Sequence, residues 1–154
     1  MKVVTVVGLR GSRESARAAN LAEFLFEQGR KLTRSEGFFV NADFAGATVR
    51  VAFSKNDALS HLIAESFFST RAGIGAESPR QSITVIRADD GVVLPNLEWA
   101  QRWIRSNEVI PRSVTGAYRI FIDRNHGCIY VYNHETGDAS VYLRPITSLD
   151  IRTF

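Results

Sequence analysis

The sequence predicts an α+β fold: a mixed sheet with about three helices and a C-terminal antiparallel β-meander. In the first two thirds of the chain, β-branched, strand-like runs alternate with stretches whose apolar residues recur at helical spacing. After Pro111 the apolar period changes to two, and three short strands follow in close succession. A doubly wound sheet would require strand and helix to alternate to the end of the chain.

The N-terminal stretch predicts a strand followed by a helix. Val3–Val7 is a β-branched run typical of a strand buried on both faces. Ser12 or Ser15 is a candidate cap for the helix that follows, and Gly29 is near its natural end. The residues predicted to bury this helix are Ala18, Leu21, Ala22 and Leu25.

The next segments predict two strands and a second helix. Phe38–Val40 and Thr48–Phe53 are strand-like and are separated by the turn in "NADFAG". The segment "SKNDALSHLIAESFF" predicts a helix, with Ser54 and Asp57 as a capping pair. Its expected apolar stripe is Leu59, Leu62, Ile63 and Phe67.

The remaining segments complete the predicted fold. "STRAGIGAESPRQS" indicates an exposed loop, Ser82–Arg87 a short strand and "ADDG" a turn. Pro95 suits the first position of a helix in "PNLEWAQRWIRSN", which would bury Leu97, Ala100 and Ile104. The meander strands are "AYRIFID", "CIYVYN" and "ASVYLR", joined by "RNHG" and "HETGD".

Length and composition indicate one folded domain. The 154 residues, 45% hydrophobic and 23% charged, suit a single α+β domain over 1–154, with 1–36 as a strand–helix extension and 37–154 as the main body. No apolar run approaches the roughly 18 residues of a membrane helix, so no membrane association is expected. A lone cysteine, Cys128, and the lack of a recognisable signal peptide predict a cytoplasmic protein.

The positive charge lies near the N-terminus. Residues 1–50 contain 8 Lys/Arg and 5 Asp/Glu, whereas residues 51–154 contain 11 of each. Nucleic-acid binding is therefore one alternative, with meander aromatics as a stacking platform. A solvated helix face and ordinary cross-strand packing are the other interpretation. The residues concerned are Arg10, Arg13, Arg17, Arg30, Lys31, Arg34, Phe121, Tyr130, Tyr132 and Tyr142.

The segment "GLRGSRES" is a candidate phosphate-binding turn. A glycine turn between strand and helix presents backbone N–H groups and a positive helix end to an anion. Gly11, Ser12, Arg13 and Ser15 would contact the phosphate. The segment resembles the first phosphate loop of flavodoxin-like FMN reductases, which implies FMN or another phosphorylated ligand as cofactor. The alternative is a plain helix cap that needs no cofactor.

No residues are assigned a catalytic or metal-binding role. His61, His126 and His134 lack the spacing of zinc ligands. Cys128 lies two residues after His126, but the sequence offers neither an orienting group nor an oxyanion hole. Whether the protein is an enzyme is therefore left open at this point.

Two segments resemble the region before the kinase domain in bacterial HPr-kinase-like proteins. They are "FVNADFAGATVRVAF" and "GAYRIFIDRNHGCIYVYNHETGDASVYLRPITSLDIRTF". Asp123, Gly127, Val131 and Tyr132 match that region's Asp-x-x-x-Gly-x-x-x-Val-Tyr pattern, and "LDIRTF" its linker. No Gly-Lys-Ser/Thr loop is present, so no ATP-binding residue is carried over.

The resemblance implies a non-catalytic accessory domain that binds a protein partner, or a kinase-like domain in trans. The expected binding surfaces are the arginine-rich first helix, the loop "STRAGIGAESPR" and the terminal "SLDIRTF".

Overall fold

The computed structural model describes residues 2–44, 47–67 and 81–144, with side chains from residue 13 onward except those of Phe44, Phe67 and Asp90. These ranges contain α1 (Lys2–Ser35), β1 (Phe38–Phe44), β2 (Ala47–Phe53), α2 (Ala58–Phe67), β3 (Ser82–Arg87), 3-10 helices at Ala88–Asp90 and Glu98–Ala100, α3 (Gln101–Ser106), α4 (Arg112–Thr115), β4 (Tyr118–Asp123), β5 (Cys128–Asn133) and β6 (Ala139–Leu143). The predicted α+β class, mixed sheet and C-terminal meander are confirmed. The predicted surfaces at 69–80 and in the terminal segment lie outside the described residues.

The strand predicted at Val3–Val7 is wrong, because these residues are part of the continuous helix α1. Valine lowers helix propensity by only a fraction of a kcal/mol relative to alanine, roughly 0.5–0.7. Extending a helix that is already formed adds one hydrogen bond for each residue fixed. A helix whose later turns are packed on the sheet therefore extends upstream through the valines.

Gly29 does not end the first helix as predicted. The helix continues to Ser35, and a Cβ placed on Gly29 would lie 2.6 Å from Thr84 Cγ2 on β3. The glycine therefore permits a close approach of α1 to the sheet. Its role is in packing rather than in chain termination.

The sheet has the strand order β1-β2-β3-β6-β5-β4. β2, β3 and β6 are mutually parallel neighbours, whereas the β1–β2, β6–β5 and β5–β4 pairs are antiparallel. The carboxyl ends of β2, β3 and β6 therefore lie at the same end of the sheet. β1 and β4 are the two outer strands.

The first face of the sheet carries the larger core. The predicted α1 stripe is confirmed, since all four of its residues are fully buried. The same cluster contains Trp103, Ile104 and Val114 from the later helices, and on the strands Ile86, Ile120, Ile122, Ile129, Val131 and Tyr142. Burial of each large apolar side chain contributes about 1.5–3 kcal/mol.

The second face carries a smaller core beneath α2. Ala64 and Ile63 of this helix pack with Val51, Phe53 and Val85. The predicted stripe of α2 is only partly correct, because Ser60 and Ala64 are buried while Leu59 and Leu62 are 42% and 57% exposed. Small side chains let the helix backbone approach the sheet, and the leucines are then turned outward.

The capping prediction for α2 is also corrected. Asp57 alone caps the helix, since its Oδ1 accepts a 2.9 Å hydrogen bond from the Ser60 N–H. Ser54 is fully buried, and its hydroxyl accepts a hydrogen bond from the Arg87 N–H on β3. The serine therefore joins two strands instead of capping a helix.

The segment after Pro95 becomes helical later than predicted. Asn96 Oδ1 accepts a hydrogen bond from the Glu98 N–H, and the first helical turn begins at Glu98. Leu97, Ala100 and Ile104 are buried as predicted. Among the described helices, none is both long and apolar enough to cross a membrane.

Candidate functional site

One row of side chains crosses the second face through all six strands. The strand register aligns Phe38, Phe53, Val85, Val141, Tyr130 and Phe121, in that order. α2 packs over the part formed by β1, β2 and β3, and Leu143 at the end of β6 packs against the same cluster. Within residues 2–44, 47–67 and 81–144, no helix covers the half formed by β6, β5 and β4.

Aromatic side chains dominate the uncovered half. Tyr130 and Tyr132 on β5 are 39% and 38% exposed. The rings of Phe121 and Tyr130 are stacked across β4 and β5, with centroids 6.0 Å apart. Val141 on β6 lies beside Tyr130 in the register.

Leu59, one of the two exposed leucines of α2, lies on the flank of the helix nearer this surface. His61 stacks on Phe38 of β1 with 4.1 Å between ring centroids, so this flank of the helix faces the β1 edge. Successive residues of a helix are about 100° apart, which places Leu59 on the opposite flank, toward β6. We call the combined surface the aromatic groove: its wall is Leu59 and Ile63, and its floor is Phe121, Tyr130, Tyr132 and Val141.

The ionisable groups at the floor stay protonated at neutral pH. Burial, followed by the neighbouring Cys128 and Asp123, raises the pKa of Tyr130 to about 12. Burial also raises the pKa of the Cys128 thiol, against a hydrogen bond with Tyr130 that lowers it. Cys128 is therefore a small buried thiol and not an activated nucleophile.

Arg119 provides a charge at the rim of the groove. It lies opposite Tyr132 in the β4–β5 register and is exposed. Among the described residues it has no ion-pair partner. Asp123 at the other end of β4 is engaged, since its Oδ2 lies 2.6 Å from His126 Nδ1 and its Oδ1 accepts two backbone N–H bonds. Arg119 is thus available to an acidic group of a ligand.

A second polar cluster lies at the carboxyl ends of β2 and β3. Arg87 bonds to Asp57 and, at 2.9 Å, to Asp89, while Lys55 lies 3.4 Å from Asp89. Desolvation alone would raise the pKa of Asp57, but hydrogen bonds from Ser60 and Arg87 outweigh it and lower the pKa to about 2. The charges in this cluster balance one another, and their contacts join α2 to β3.

The predicted phosphate residues all lie in α1. The interval predicted as a turn is helical, so its backbone N–H groups lie within a helix, where they donate to carbonyls four residues earlier. Arg13 is exposed and Ser15 is half-buried, while the side chains of Gly11 and Ser12 lie outside those described. The strand-to-helix turn on which the phosphate hypothesis depends is therefore not present.

The predicted nucleic-acid residues fall on opposite sides of the sheet. The arginines of α1 belong to the helix that covers the first face. Tyr130, Tyr132 and Phe121 lie on the second face, whereas Tyr142 is buried in the first. The arginines and the aromatic platform therefore do not form one continuous surface.

Sequence reasoning does not find the wall of the groove, because the spacing of Leu59 and Leu62 predicts that both lie in the buried stripe of α2. The available signal was the pair Ser60 and Ala64, small residues four apart that allow close helix packing. Within the described ranges, no group of three or more His, Cys, Asp or Glu is placed to hold a metal ion.

Comparison with known proteins yields no match: no family model, no curated protein and no solved structure is similar to this chain.

Proposed function

We propose that this chain is a protein-binding accessory domain whose aromatic groove binds an amphipathic helix of a partner protein. The observation that carries the proposal is the second face, on which α2 occupies one helix position beside another that no described helix covers. Three strands about 4.8 Å apart span roughly 14 Å. That width accepts one helix, about 10–12 Å across with its side chains.

The side chains of the groove suit this type of ligand. Tyrosines and phenylalanines supply large, rigid contact areas and are frequent at the energetic centres of protein interfaces. A helix lying on Tyr130 and Val141 would also pack beside Leu59 of α2, at the usual interaxial distance of about 8–10 Å. The rim Arg119 would pair with an acidic residue on the flank of that helix.

An accessory role agrees with the resemblance to the N-terminal region of HPr-kinase-like proteins. On that resemblance, a kinase-like domain in trans is one partner class that would carry such a helix. The chemistry of the groove defines the ligand more narrowly than the resemblance does: an apolar helix face flanked by an acidic group.

A labelled synthetic amphipathic helix of about five turns (~18 residues) provides the test. The peptide carries leucines on one face and glutamates on the flank. Its binding is measured by fluorescence anisotropy, and a scrambled peptide of the same composition serves as the control. We expect the combined Tyr130→Ser and Tyr132→Ser changes to weaken binding at least tenfold, about 1.4 kcal/mol. Val93→Ser, which removes an exposed apolar side chain elsewhere, is the matched control and should leave binding unchanged.

Charge reversal tests the role of Arg119. Arg119→Glu should bind the glutamate-flanked peptide more weakly than the wild type does. It should bind a lysine-flanked version of the same peptide more tightly than the wild type does. The intrinsic fluorescence of the two buried or half-buried tryptophans verifies that each variant is folded. Equal binding of helical and scrambled peptides, or an equal loss with Val93→Ser, would contradict the proposal.

A further inference from the structure

The two outer strands of the sheet are protected differently. The outer side of β4 is engaged by the preceding segment, since the Ile110 N–H donates a 3.0 Å hydrogen bond to the Ile120 carbonyl. β4 also carries the charged Arg119. β1, with the sequence FFVNADF, contains no lysine, arginine or proline, and it pairs with β2 over seven consecutive residues without a bulge. Basic residues, proline and bulges usually help to prevent edge-to-edge association, and β1 has none of them; Asp43 is its one charged residue.

The backbone of β1 presents hydrogen-bonding groups to its outer side. Arg50 of β2 donates its N–H to Gln81, so its backbone points toward β3. Its partner in the register is Asn41, which therefore forms a non-hydrogen-bonded pair with β2 and directs its own N–H and C=O outward. Because the direction of the backbone groups alternates along a strand, the N–H and C=O of Phe39, two residues earlier, also point outward. No described residue hydrogen-bonds to these outward groups of Phe39 or Asn41.

Asn41 also carries an unsatisfied side-chain atom. Its Oδ1 is buried and has no hydrogen-bond partner among the described residues. Leaving a buried polar atom unsatisfied costs about 1–3 kcal/mol. Asn41 is the middle residue of β1, so a two-fold axis beside it would relate the two halves of the strand.

We propose that β1 pairs with β1 of a second copy of this chain, antiparallel and centred on Asn41, to form a continuous two-fold sheet. Asn41 and Asn41 of the partner subunit would exchange both backbone hydrogen bonds. Their side chains would lie on the same face, where each amide NH₂ can donate to the other Oδ1. This pair would fix the register.

The rest of the strand is self-complementary in this register. Val40 lies opposite Ala42 of the partner subunit, which continues the apolar second face. Phe39, 54% exposed, lies opposite Asp43 of the partner subunit. The guanidinium of Arg50 is 4.3 Å from the Phe39 ring centroid, so the partner's Asp43 approaches a positive charge. No like charges are brought together.

Sedimentation equilibrium of the full chain tests the dimer. We expect a dimer for the wild type and at least a tenfold weaker association for Asn41→Asp at pH 7, because two carboxylates would meet at the axis. Lowering the pH from 7 toward about 4.5 should restore part of the association in that variant, because two carboxylates that meet at the axis share a proton more readily than isolated ones. Asn20→Asp, at an exposed site on α1, is the matched control and should associate like the wild type.

A cross-link tests the register. With Cys128→Ser as background, Asn41→Cys should form an intermolecular disulfide on mild oxidation, since hydrogen-bonded antiparallel pairs have Cα atoms about 5.5 Å apart. Phe39→Cys should not, because its two copies would be roughly 14 Å apart along the strands. A monomeric wild type, equal association of Asn41→Asp and wild type, or cross-linking through position 39 instead of 41 would each overturn the proposal.

Discussion

Arg87 at the end of β3 is bonded to Asp57, the residue that caps α2. The guanidinium side chain is only 14% exposed and also contacts Asp89. The pair therefore fixes the start of the helix against the strand that follows it in the chain. Because α2 forms the wall of the aromatic groove, this contact also positions Leu59.

The Asp57 pair predicts a loss of stability in acid. The pKa of this carboxyl is about 2 in the folded chain and 3.8 in the unfolded reference. A lowered folded pKa gives stability that is fully present above the unfolded pKa and lost as the pH falls through the folded pKa. We expect Asp57 to contribute stability that is present at pH 7 and is lost as the pH falls from about 4 through about 2, measured by urea unfolding with tryptophan fluorescence.

Asp57→Asn should abolish that component of the pH dependence. Its free energy of unfolding at pH 7 should fall by about 1–3 kcal/mol, since the ion pair with Arg87 is lost while asparagine can still cap the helix. Glu108→Gln, at an exposed position, is the control. If the free energy of unfolding of Asp57→Asn still fell in acid as much as that of the wild type, other carboxyl groups would be responsible for the loss.

Gly29→Ala should destabilise the protein by about 1–2 kcal/mol, although alanine favours helices by about 1 kcal/mol over glycine. The added Cβ would overlap Thr84 Cγ2. Thr84→Ser removes that methyl and keeps the hydroxyl, so Gly29→Ala in this background should be neutral or stabilising. Thermal or urea unfolding of the double-mutant cycle measures the difference. Additive effects would exclude the close approach as the reason for glycine.

Leu21 and Leu62 should respond very differently to truncation. Leu21 on α1 is fully buried, and Leu21→Ala should cost about 2–5 kcal/mol through cavity formation. Leu62 on α2 is mostly exposed, so Leu62→Ala should change the free energy of unfolding by less than about 0.5 kcal/mol. Chemical unfolding compares the two directly. A large loss of unfolding free energy for Leu62→Ala would show that Leu62 is buried, as the spacing in the sequence predicts.

Cys128 should react slowly with a neutral thiol reagent in the folded protein. The thiol is buried, and burial raises its pKa. We expect alkylation by iodoacetamide at pH 7.5 to be at least tenfold slower than in the urea-unfolded chain. Rapid modification of the folded protein would instead indicate an accessible thiolate.

Local patterns were enough to predict most of the strands and the α1 core stripe. The alternation in "CIYVYN" and its neighbours specifies which residues face inward, because a strand places successive side chains on opposite faces. The spacing of Ala18, Leu21, Ala22 and Leu25 likewise defines one face of a helix. These features depend on periodicity, which is a property of the sequence itself.

Tertiary contacts decided the rest. Val3–Val7 became helical because the packed part of α1 extends through it, and Gly29 lies inside the helix because β3 passes close to it. Leu59 is exposed because Ser60 and Ala64 face the sheet, and the groove exists because no described helix lies beside α2 over β5 and β4. The outward direction of Asn41 follows from the bonds of its neighbour to β3. Each depends on residues distant in sequence, whose positions no local pattern specifies.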